Sequence, residues 1–265
     1  MTSSDLTLRG VFARTKGEGR AALIPYVTAG HPHLNDLPQL ISALNEAGAD
    51  IIEIGIPFSD PLADGPVLQH AATQALNNGT KLRDILDQTK EISQSSVPIV
   101  YLTYMNPVYH FGVRAFIRAA AQSGVKGLII PDLPWLESQE VFHDCEAEGI
   151  SLIPLVAPTS TDAHIASLEI ATGFIYGVSL TGVTGVRQDI DSGVESMVAR
   201  IKRFITQPVA IGFGISTPEH ARRIGAVADG VIVGSALVRI IDDAGDEAPQ
   251  AARAFVASLR EALNP

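Results

Sequence analysis

Hydrophobic residues recur along the chain in eight short runs that are rich in β-branched side chains. Apolar residues follow one another in these runs with little alternation, a pattern typical of parallel strands covered on both faces. Helix-like segments separate the runs, and glycines stand where several of the helices should end. The predicted strands are Ala22–Thr28, Ala49–Ile54, Pro98–Thr103, Gly127–Pro131, Ser151–Ala157, Phe174–Ser179, Pro208–Gly212 and Asp229–Val233. The predicted helices are Leu37–Ala47, Val67–Leu76, Leu82–Ser93, Val113–Gln122, Glu137–Glu148, Asp162–Ile170, Val194–Ile205, Pro218–Ile224 and Ala251–Leu263.

This alternation of strands and helices predicts the fold class. Eight β–α units in 265 residues match a (β/α)8 TIM barrel in both count and length. A doubly wound sheet is the alternative, but it usually contains only about five or six strands. No Gly/Ser-rich or Pro-rich linker divides the chain, so we expect one domain over residues 1–265. A short extra N-terminal helix, Leu6–Ala13, is expected to pack against the barrel floor.

Composition narrows the possible partners. The formal net charge of −10 disfavours binding to a nucleic-acid backbone or an anionic membrane. The single cysteine, Cys145, excludes an internal disulfide and most cysteine-based metal sites. His31, His33 and His70 show no ligand spacing, so no metal is expected. No apolar run approaches the roughly 20 residues of a membrane span, and the N-terminus lacks a signal-peptide core. We therefore expect a cytoplasmic protein.

Glu53 is the first candidate for chemistry, because it is an acid within an apolar strand. Alternation places Ile51, Glu53 and Gly55 on one face of the second strand. A glutamate that points into a barrel mouth is desolvated, which raises its pKa and suits a general acid that later acts as a base. The alternative is a structural carboxylate that is hydrogen-bonded to a neighbouring strand.

Further acids follow the second and fourth predicted strands. Asp60 and Asp64 lie in the loop after Glu53, where a second carboxylate would divide acid and base roles between two groups. Asp residues before Pro or Gly are also common turn formers. Asp132, at the end of the fourth strand, has the same two interpretations, a site residue or an organiser of its loop.

The last two strands end in sequences suited to binding phosphate. Phe213-Gly214-Ile215-Ser216 follows the seventh strand, and Gly234-Ser235 follows the eighth and opens a helix. Glycine lets the backbone approach an anion, and the helix dipole favours negative charge. The loops after strands seven and eight are the usual phosphate site of such barrels. Neither loop contains Lys or Arg, so the predicted site consists mostly of backbone N–H groups.

Two other features complete the predicted site. Residues 179–188 combine two glycines and two threonines without a core pattern, which indicates either a mobile lid or an ordinary long loop. Several aromatic and aliphatic residues near strand ends would line a flat apolar pocket, although each of them also suits plain core packing. These residues are Tyr26, Leu102, Tyr104, Ile129 and Tyr176.

Seven stretches together resemble successive motifs of one family, the tryptophan synthase alpha chain. They occur in the family's order with compatible spacing from about Tyr26 to Leu237. The stretches are YVTAGHP, IEIGIPFSDPLADGP, PIVYLTYMNPV, IIPDLP, SLTGVTGVR, IGFGIS and IVGSALV.

The resemblance implies a lyase that splits indole-3-glycerol phosphate into indole and D-glyceraldehyde 3-phosphate by retro-aldol cleavage. It implies that Glu53 protonates C3 of the indole ring and takes the proton of the side-chain hydroxyl. Asp64 would accept the indole N–H, and Tyr176 would lie against the substrate. Thr184, in the lid, would hydrogen-bond Asp64 on closure and so expel water. The implied phosphate-binding residues are Gly185, Gly214, Gly234 and Ser235.

The same resemblance implies a partner, a PLP-dependent beta chain that condenses indole with serine to give L-tryptophan. An alpha2-beta2 heterotetramer is expected, and no cofactor is expected in this chain. Pro57, Asp60, Asn106 and Pro107 would face the beta chain. His31 departs from the family's pattern, because an acidic or tyrosine residue is common there, and contacts from its loop therefore stay open.

Three alternatives to this function are considered. Another phosphate-binding barrel enzyme of neighbouring metabolism would place a lysine or an aspartate pair at the strand ends, and no lysine lies there. A chain that only activates a partner enzyme is disfavoured by the presence of Glu53 and Asp64. A stand-alone lyase that releases free indole is poorly separated from the complexed form by sequence.

Overall fold

Nine parallel strands form the centre of the molecule. The computed structural model describes residues 7–94, 97–178, 187–212 and 214–264, and only the backbone of 187–192. The strands are β1 Ala22–Thr28, β2 Ile52–Gly55, β3 Ile99–Leu102, β4 Val125–Ile129, β5 Ser151–Ile153, β6 Leu155–Val156, β7 Ile175–Val178, β8 Val209–Gly212 and β9 Gly230–Val233. Their order in the sheet is β5-β4-β3-β2-β1-β9-β8-β7-β6, so β1 lies beside β9 and the sheet curls into a nearly closed TIM barrel.

The two ends of this sheet belong to one predicted strand. The sequence predicts a continuous strand over Ser151–Ala157, and the structure interrupts it at Pro154. Proline has no N–H to donate, so one ladder bond is missing at position 154. The first part, β5, pairs with β4, and the second part, β6, pairs with β7. Eight predicted strands therefore become nine, and the interrupted one completes the circle.

Helices surround the strands in the described part of the chain. They are α1 Leu8–Gly17, α2 Leu37–Glu46, α3 Pro66–Asn77, α4 Leu82–Ile92, α5 Met105–Phe111, α6 Val113–Gln122, α7 Gln139–Ala147, α8 Asp162–Ser167, α9 Arg187–Lys202, α10 Pro218–Gly225, α11 Ser235–Ala244 and α12 Ala248–Ala262. Short 3-10 turns occupy Leu34–Asp36, Trp135–Glu137, Leu168–Ile170 and Gly245–Glu247. No helix within the described ranges is long and apolar enough to cross a membrane.

Helices α5 and α9 differ most from the predictions. Helix α5 was not predicted, because it is only 7 residues long and contains Pro107. Helix α9 begins at Arg187, earlier than the predicted Val194. The predicted loop over 179–188 is therefore wrong at its end, where Arg187 and Gln188 are helical. Residues 179–186 lie outside the described ranges.

Helix α1 closes the floor of the barrel, as predicted; it begins at Leu8, and the predicted start at Leu6 lies outside the described residues. The Thr7 hydroxyl caps the helix by accepting the Gly10 N–H at 3.0 Å. Leu8, Val11 and Phe12 are buried among the residues of the barrel interior. The Phe12 ring lies 5.4 Å from that of Phe174, just before β7.

A buried carboxylate ties both termini to this floor. Asp50 accepts hydrogen bonds from Arg14 at 2.9 Å, from Arg20 at 2.6 and 2.9 Å, and from Arg260 at 3.3 Å. The Leu23 N–H donates a further bond at 2.9 Å. Because Arg14 lies on α1 and Arg260 on α12, one side chain joins the first and last helices to the start of the sheet.

The strands alternate between two cores, as the sequence predicts for β2. Ile52 and Ile54 are buried in the layer between sheet and helices. Ile51 belongs to a separate cluster inside the barrel. Glu53 lies on the strand between Ile52 and Ile54 and is fully buried, which directs its side chain into the barrel interior.

Candidate active site

Glu53 is fully buried, and no described residue compensates its carboxyl group with a hydrogen bond. It lies in register with Tyr26 on β1 and Val100 on β3. Neither carboxylate oxygen has a hydrogen-bond partner among the described residues, so nothing in that part of the chain supports the structural-carboxylate alternative. Burial in this apolar setting, and secondarily the charge of Asp64, raises the pKa of Glu53 to about 8. At neutral pH the group is therefore a protonated acid within a barrel.

Asp64 lies in the loop between β2 and α3 and is half-buried. Burial raises its pKa to about 6, and a hydrogen bond from the Tyr104 hydroxyl opposes that rise. The same hydroxyl accepts the Ala63 N–H at 3.1 Å, so Tyr104 holds the backbone and the side chain of this loop together. Asp64 also takes part in a turn, because its N–H bonds the Pro61 carbonyl at 3.0 Å. The two acids consequently have different pKa values, with Asp64 ionising first.

Tyr26 and Tyr176 project into the same interior as Glu53. Each ring lies over a glycine of the next strand: a Cβ on Gly55 would lie 1.9 Å from the Tyr26 hydroxyl oxygen, and one on Gly212 would lie 2.4 Å from that of Tyr176. Burial and the charges of Glu53 and Asp64 raise the pKa of both tyrosines. Both phenols therefore stay neutral beside the acids.

Leu102 and Ile129 also lie in the interior cluster, as the sequence predicts for an apolar pocket wall. Tyr104 differs from this prediction, because its hydroxyl has a polar role toward Asp64 and its ring lies 5.5 Å from that of Phe58. The sequence did not reveal that role, since Tyr104 and Asp64 are 40 residues apart and meet only through the packing of β3 beside β2.

The predicted phosphate residues lie after β8 and β9. Gly214 is exposed and has a φ of +52°. Gly234 precedes α11, and the first intrahelical bond there runs from the Val238 N–H to the Gly234 carbonyl at 3.1 Å. The N–H groups of the first helical residues, beginning with exposed Ser235, therefore remain for an anion. Thr184, Gly185 and Phe213 lie outside the described residues.

The residues that were predicted to face the partner differ in their burial. Asp60 and Asn106 are exposed and Pro107 is half-buried, but Pro57 is buried within the chain. Two large apolar side chains that the sequence analysis missed lie exposed nearby in the sequence: Leu62 at 83% and Tyr109 at 75%. The signal that could have found Leu62 is a leucine inside a loop rich in Asp and Pro.

Asp132 and the histidines have structural surroundings. Asp132 accepts the Met105 N–H at 2.8 Å at the start of α5, which favours its interpretation as an organiser of the loop. His31 is buried, with Nδ1 hydrogen-bonded to Gln74 and Nε2 3.8 Å from Asp242. No group of three or more His, Cys, Asp or Glu among the described residues is arranged to hold a metal ion.

These observations define a class of protein: a TIM-barrel enzyme with a buried acid at the strand ends and a helix N-terminus suited to an anion at the same mouth. A family model described as Tryptophan synthase alpha chain matches residues 12–264. The chain belongs to the tryptophan synthase alpha-chain family, which cleaves indole-3-glycerol phosphate to indole and glyceraldehyde 3-phosphate in tryptophan biosynthesis and is partnered with a beta chain.

Individual relatives agree with this assignment. A tryptophan synthase alpha chain from Thermoanaerobacter sp. (strain X514) is 46% identical over 255 residues, covering 95% of this chain and 97% of the relative. One from Thermosynechococcus vestitus is 43% identical over 256 residues, with 96% of each chain covered. A solved tryptophan synthase structure from Mycobacterium tuberculosis superposes with a TM-score of 0.90 at 39% identity, covering 97% of this chain and 98% of the other.

Proposed function

We propose that Glu53 is the general acid and base of the retro-aldol cleavage and that Asp64 binds the indole nitrogen. The observation that carries this proposal is the fully buried Glu53 carboxyl, whose pKa of about 8 keeps it protonated at neutral pH. Its lack of a hydrogen-bond partner among the described residues leaves it free to act on a substrate. A group that first donates and later accepts a proton works best with a pKa near the working pH.

The proposed cleavage needs no cofactor in this chain. The Glu53 carboxyl gives its proton to C3 of the indole ring, and the resulting positive charge on the ring nitrogen is stabilised by ionised Asp64. The Glu53 carboxylate then takes the proton of the side-chain hydroxyl, which becomes the aldehyde carbonyl. The carbon–carbon bond to C3 breaks, its electron pair restores the indole ring, and Glu53 ends protonated as it began.

The binding of the phosphate is proposed at the carboxyl ends of β8 and β9, on the other side of β1 from Glu53. We propose that the backbone near Gly214 and Gly234 and the free N–H groups of the first turn of α11 bind it, beginning at Ser235. The dipole of the 10-residue helix α11 supports an anion at that end. Tyr176 would then lie against the reacting part of the substrate. Gly185, Thr184 and Phe213 remain proposed contacts on the strength of the family's motifs.

For the partner, we propose an alpha2-beta2 heterotetramer with a PLP-dependent beta chain that receives indole. The exposed Asp60 and Asn106, with Pro107 and the apolar side chains of Leu62 and Tyr109, support a docking face there. Pro57 lies buried in the isolated chain, so its contact would need movement of its loop. We also propose that the whole chain is one barrel domain and that the complex is cytoplasmic.

Indole release from indole-3-glycerol phosphate tests this proposal, with Glu53→Gln compared with the wild type. Because the amide cannot transfer the proton, we expect a loss of about three orders of magnitude or more with the fold retained. Glu46→Gln, the same change at an exposed acid on α2, serves as the matched control. Activity of Glu53→Gln within about tenfold of the wild type would refute the proposed role.

The same assay repeated with added beta chain separates the remaining alternatives. We expect the beta chain to raise the cleavage rate, because a bound partner favours the closed site. No change would indicate a stand-alone lyase. Cleavage by neither preparation of the wild type would indicate a chain that only activates its partner.

A further inference from the structure

Tyr26 carries a hydroxyl group in a part of the site that an apolar ring alone would fill. The residue lies on β1 in register with Glu53 on β2 and is only 5% exposed. Its ring leans over Gly55, where an added Cβ would lie 1.9 Å from the hydroxyl oxygen. Because Gly55 is the last residue of β2, the hydroxyl lies above Glu53, toward the loop that carries Asp64. Packing therefore fixes the phenol over the last residue of β2, on the strand next to Glu53.

The Tyr26 hydroxyl has one partner, the hydroxyl of Thr28, at 3.2 Å. Thr28 is 2% exposed, so both groups are removed from water. Two hydroxyls carry two protons, and the bond between them uses one. Among the residues that the structure describes, neither hydroxyl makes a second hydrogen bond. A buried donor without an acceptor is costly, so the second proton requires an acceptor during the enzyme's working cycle.

Asp64 and Glu53 are the acids whose charges act on Tyr26, and they are the available acceptors. Of the charged groups, Asp64 acts most strongly on Tyr26, ahead of Glu53. An ionised carboxylate can accept about four hydrogen bonds, and Tyr104 supplies Asp64 with one. Glu53 is protonated at neutral pH and is the weaker acceptor. Asp64 is therefore the better destination for the unused proton.

We propose that Tyr26, oriented by Thr28, is a positioning residue that donates a hydrogen bond to ionised Asp64 and so directs that carboxylate toward the indole N–H. This inference rests on the proposed function, since it gives Asp64 the task of binding the ring nitrogen. Together, Tyr26 on β1 and Tyr104, two residues past the end of β3, would hold Asp64. The free lone pairs of Asp64 would remain for the substrate.

The consequence is a shift in the protonation of Asp64. A hydrogen bond donated to the charged form of a carboxyl lowers its pKa, and one that involves a charged group changes it by about one unit or more. Tyr26 itself stays neutral, because burial and the neighbouring acids raise its pKa. The phenol therefore acts as a fixed donor across the working pH range.

A second buried Tyr–Thr pair in the same chain provides a matched control. The Tyr101 hydroxyl donates to the Thr89 hydroxyl at 2.6 Å, and both residues are fully buried. Tyr101 belongs to the core between sheet and helices, outside the barrel interior. Tyr26→Phe and Tyr101→Phe thus remove the same atom from the same kind of pair, and only the first should affect the acids.

The decisive measurement is a carbon-13 NMR titration of the Asp64 carboxyl in the full-length chain saturated with indole, with the signal assigned through Asp64→Asn. We expect Tyr26→Phe to raise the pKa of Asp64 by about one unit, and Tyr101→Phe to leave it unchanged. An unchanged Asp64 pKa in Tyr26→Phe, or equal shifts in both variants, would overturn the proposal.

Kinetics supply an independent readout. In Tyr26→Phe the acid limb of kcat, which reports the substrate-bound enzyme, should move upward by about one pH unit, so that cleavage falls about tenfold below the limb and converges with the wild type near pH 8. Thr28→Ser keeps a hydroxyl at this position and should leave the pH of the acid limb at its wild-type value. Thr28→Val removes the hydroxyl and should move the acid limb upward, as Tyr26→Phe does. A uniform loss at all pH values would indicate a merely structural role. A wild type that cleaves nothing would refute the proposed function, and the NMR titration would still decide the role of Tyr26.

Discussion

The burial of the Glu53 carboxyl group costs folding stability. An unpaired carboxyl inside an apolar barrel gives up the hydration of its charged form and, among the described residues, gains no hydrogen bond in return. The cost appears as a pKa raised from 4.5 to about 8. Groups with such shifts, close to a second titratable group, are typical of catalytic centres.

The pKa shift predicts how stability depends on pH. Because the folded-state pKa of Glu53 lies above its unfolded value, its contribution is fully present below about pH 4.5 and is lost as the pH rises through about 8. Relative to Glu53→Gln, the wild type should therefore lose unfolding free energy on the order of a few kcal/mol over this range. Urea unfolding of both proteins at a series of pH values measures the difference. A difference that does not change with pH would contradict the assigned pKa.

At the residue scale, the sequence predicts single side chains better than pairs. The period of two in β2 was sufficient to direct Glu53 inward and to predict its raised pKa. The contacts of Tyr104 with Asp64, and of Tyr26 with Gly55, join residues on different elements. No local pattern encodes such contacts, so both tyrosines were predicted only as pocket walls.

Helix α11 is the element on which the proposed phosphate binding depends. Its first N–H groups are not used within the helix, and neither Gly234 nor Ser235 brings a positive side chain. Backbone and dipole would then provide the attraction, whereas the Ser235 hydroxyl would add little. This arrangement predicts different effects on phosphate binding for removal of the Ser235 hydroxyl and for addition of a negative charge at that position.

Ser235→Asp should separate helix stability from phosphate binding. An acid in the first turn favours the helix by about 0.3–1 kcal/mol, but its charge repels a bound phosphate and should raise the substrate KM roughly tenfold or more. Thr7→Asp places the same acid at the start of α1, at the opposite end of the barrel, and should leave KM unchanged. Ser235→Ala should have little effect. Equal losses in Ser235→Ala and Ser235→Asp would mean that the hydroxyl, rather than the backbone, binds the phosphate.

Elements were predictable where they were long and regular. The strand at Ser151 and helix α5 departed from prediction for the same reason, since each contains a proline whose effect depends on its neighbours. Pro154 interrupts a ladder, whereas Pro107 lies in the first turn of α5, where its missing N–H costs nothing. A sequence pattern alone does not distinguish these two situations.

At the scale of the whole molecule, the barrel brings together acids that lie on different elements. Asp50 and its three arginines join the first helix, the last helix and the floor, and the opposite end is left to the site. The fold class was predictable because eight strand–helix units of suitable length admit few closed arrangements. The exposure of Leu62 and Tyr109 was not predictable, because it depends on the final surface.

The central claim is that protonated Glu53 and ionised Asp64 act together in one site, and the pH dependence of kcat/KM for indole release tests it most directly. With a pKa of about 8 for Glu53 and about 6 for Asp64, the two required forms coexist only between these values. We predict a bell-shaped profile with an acid limb near pH 6 and a basic limb near pH 8. A rate that continues to rise above pH 8, with no basic limb, would contradict the role of Glu53 as the proton donor.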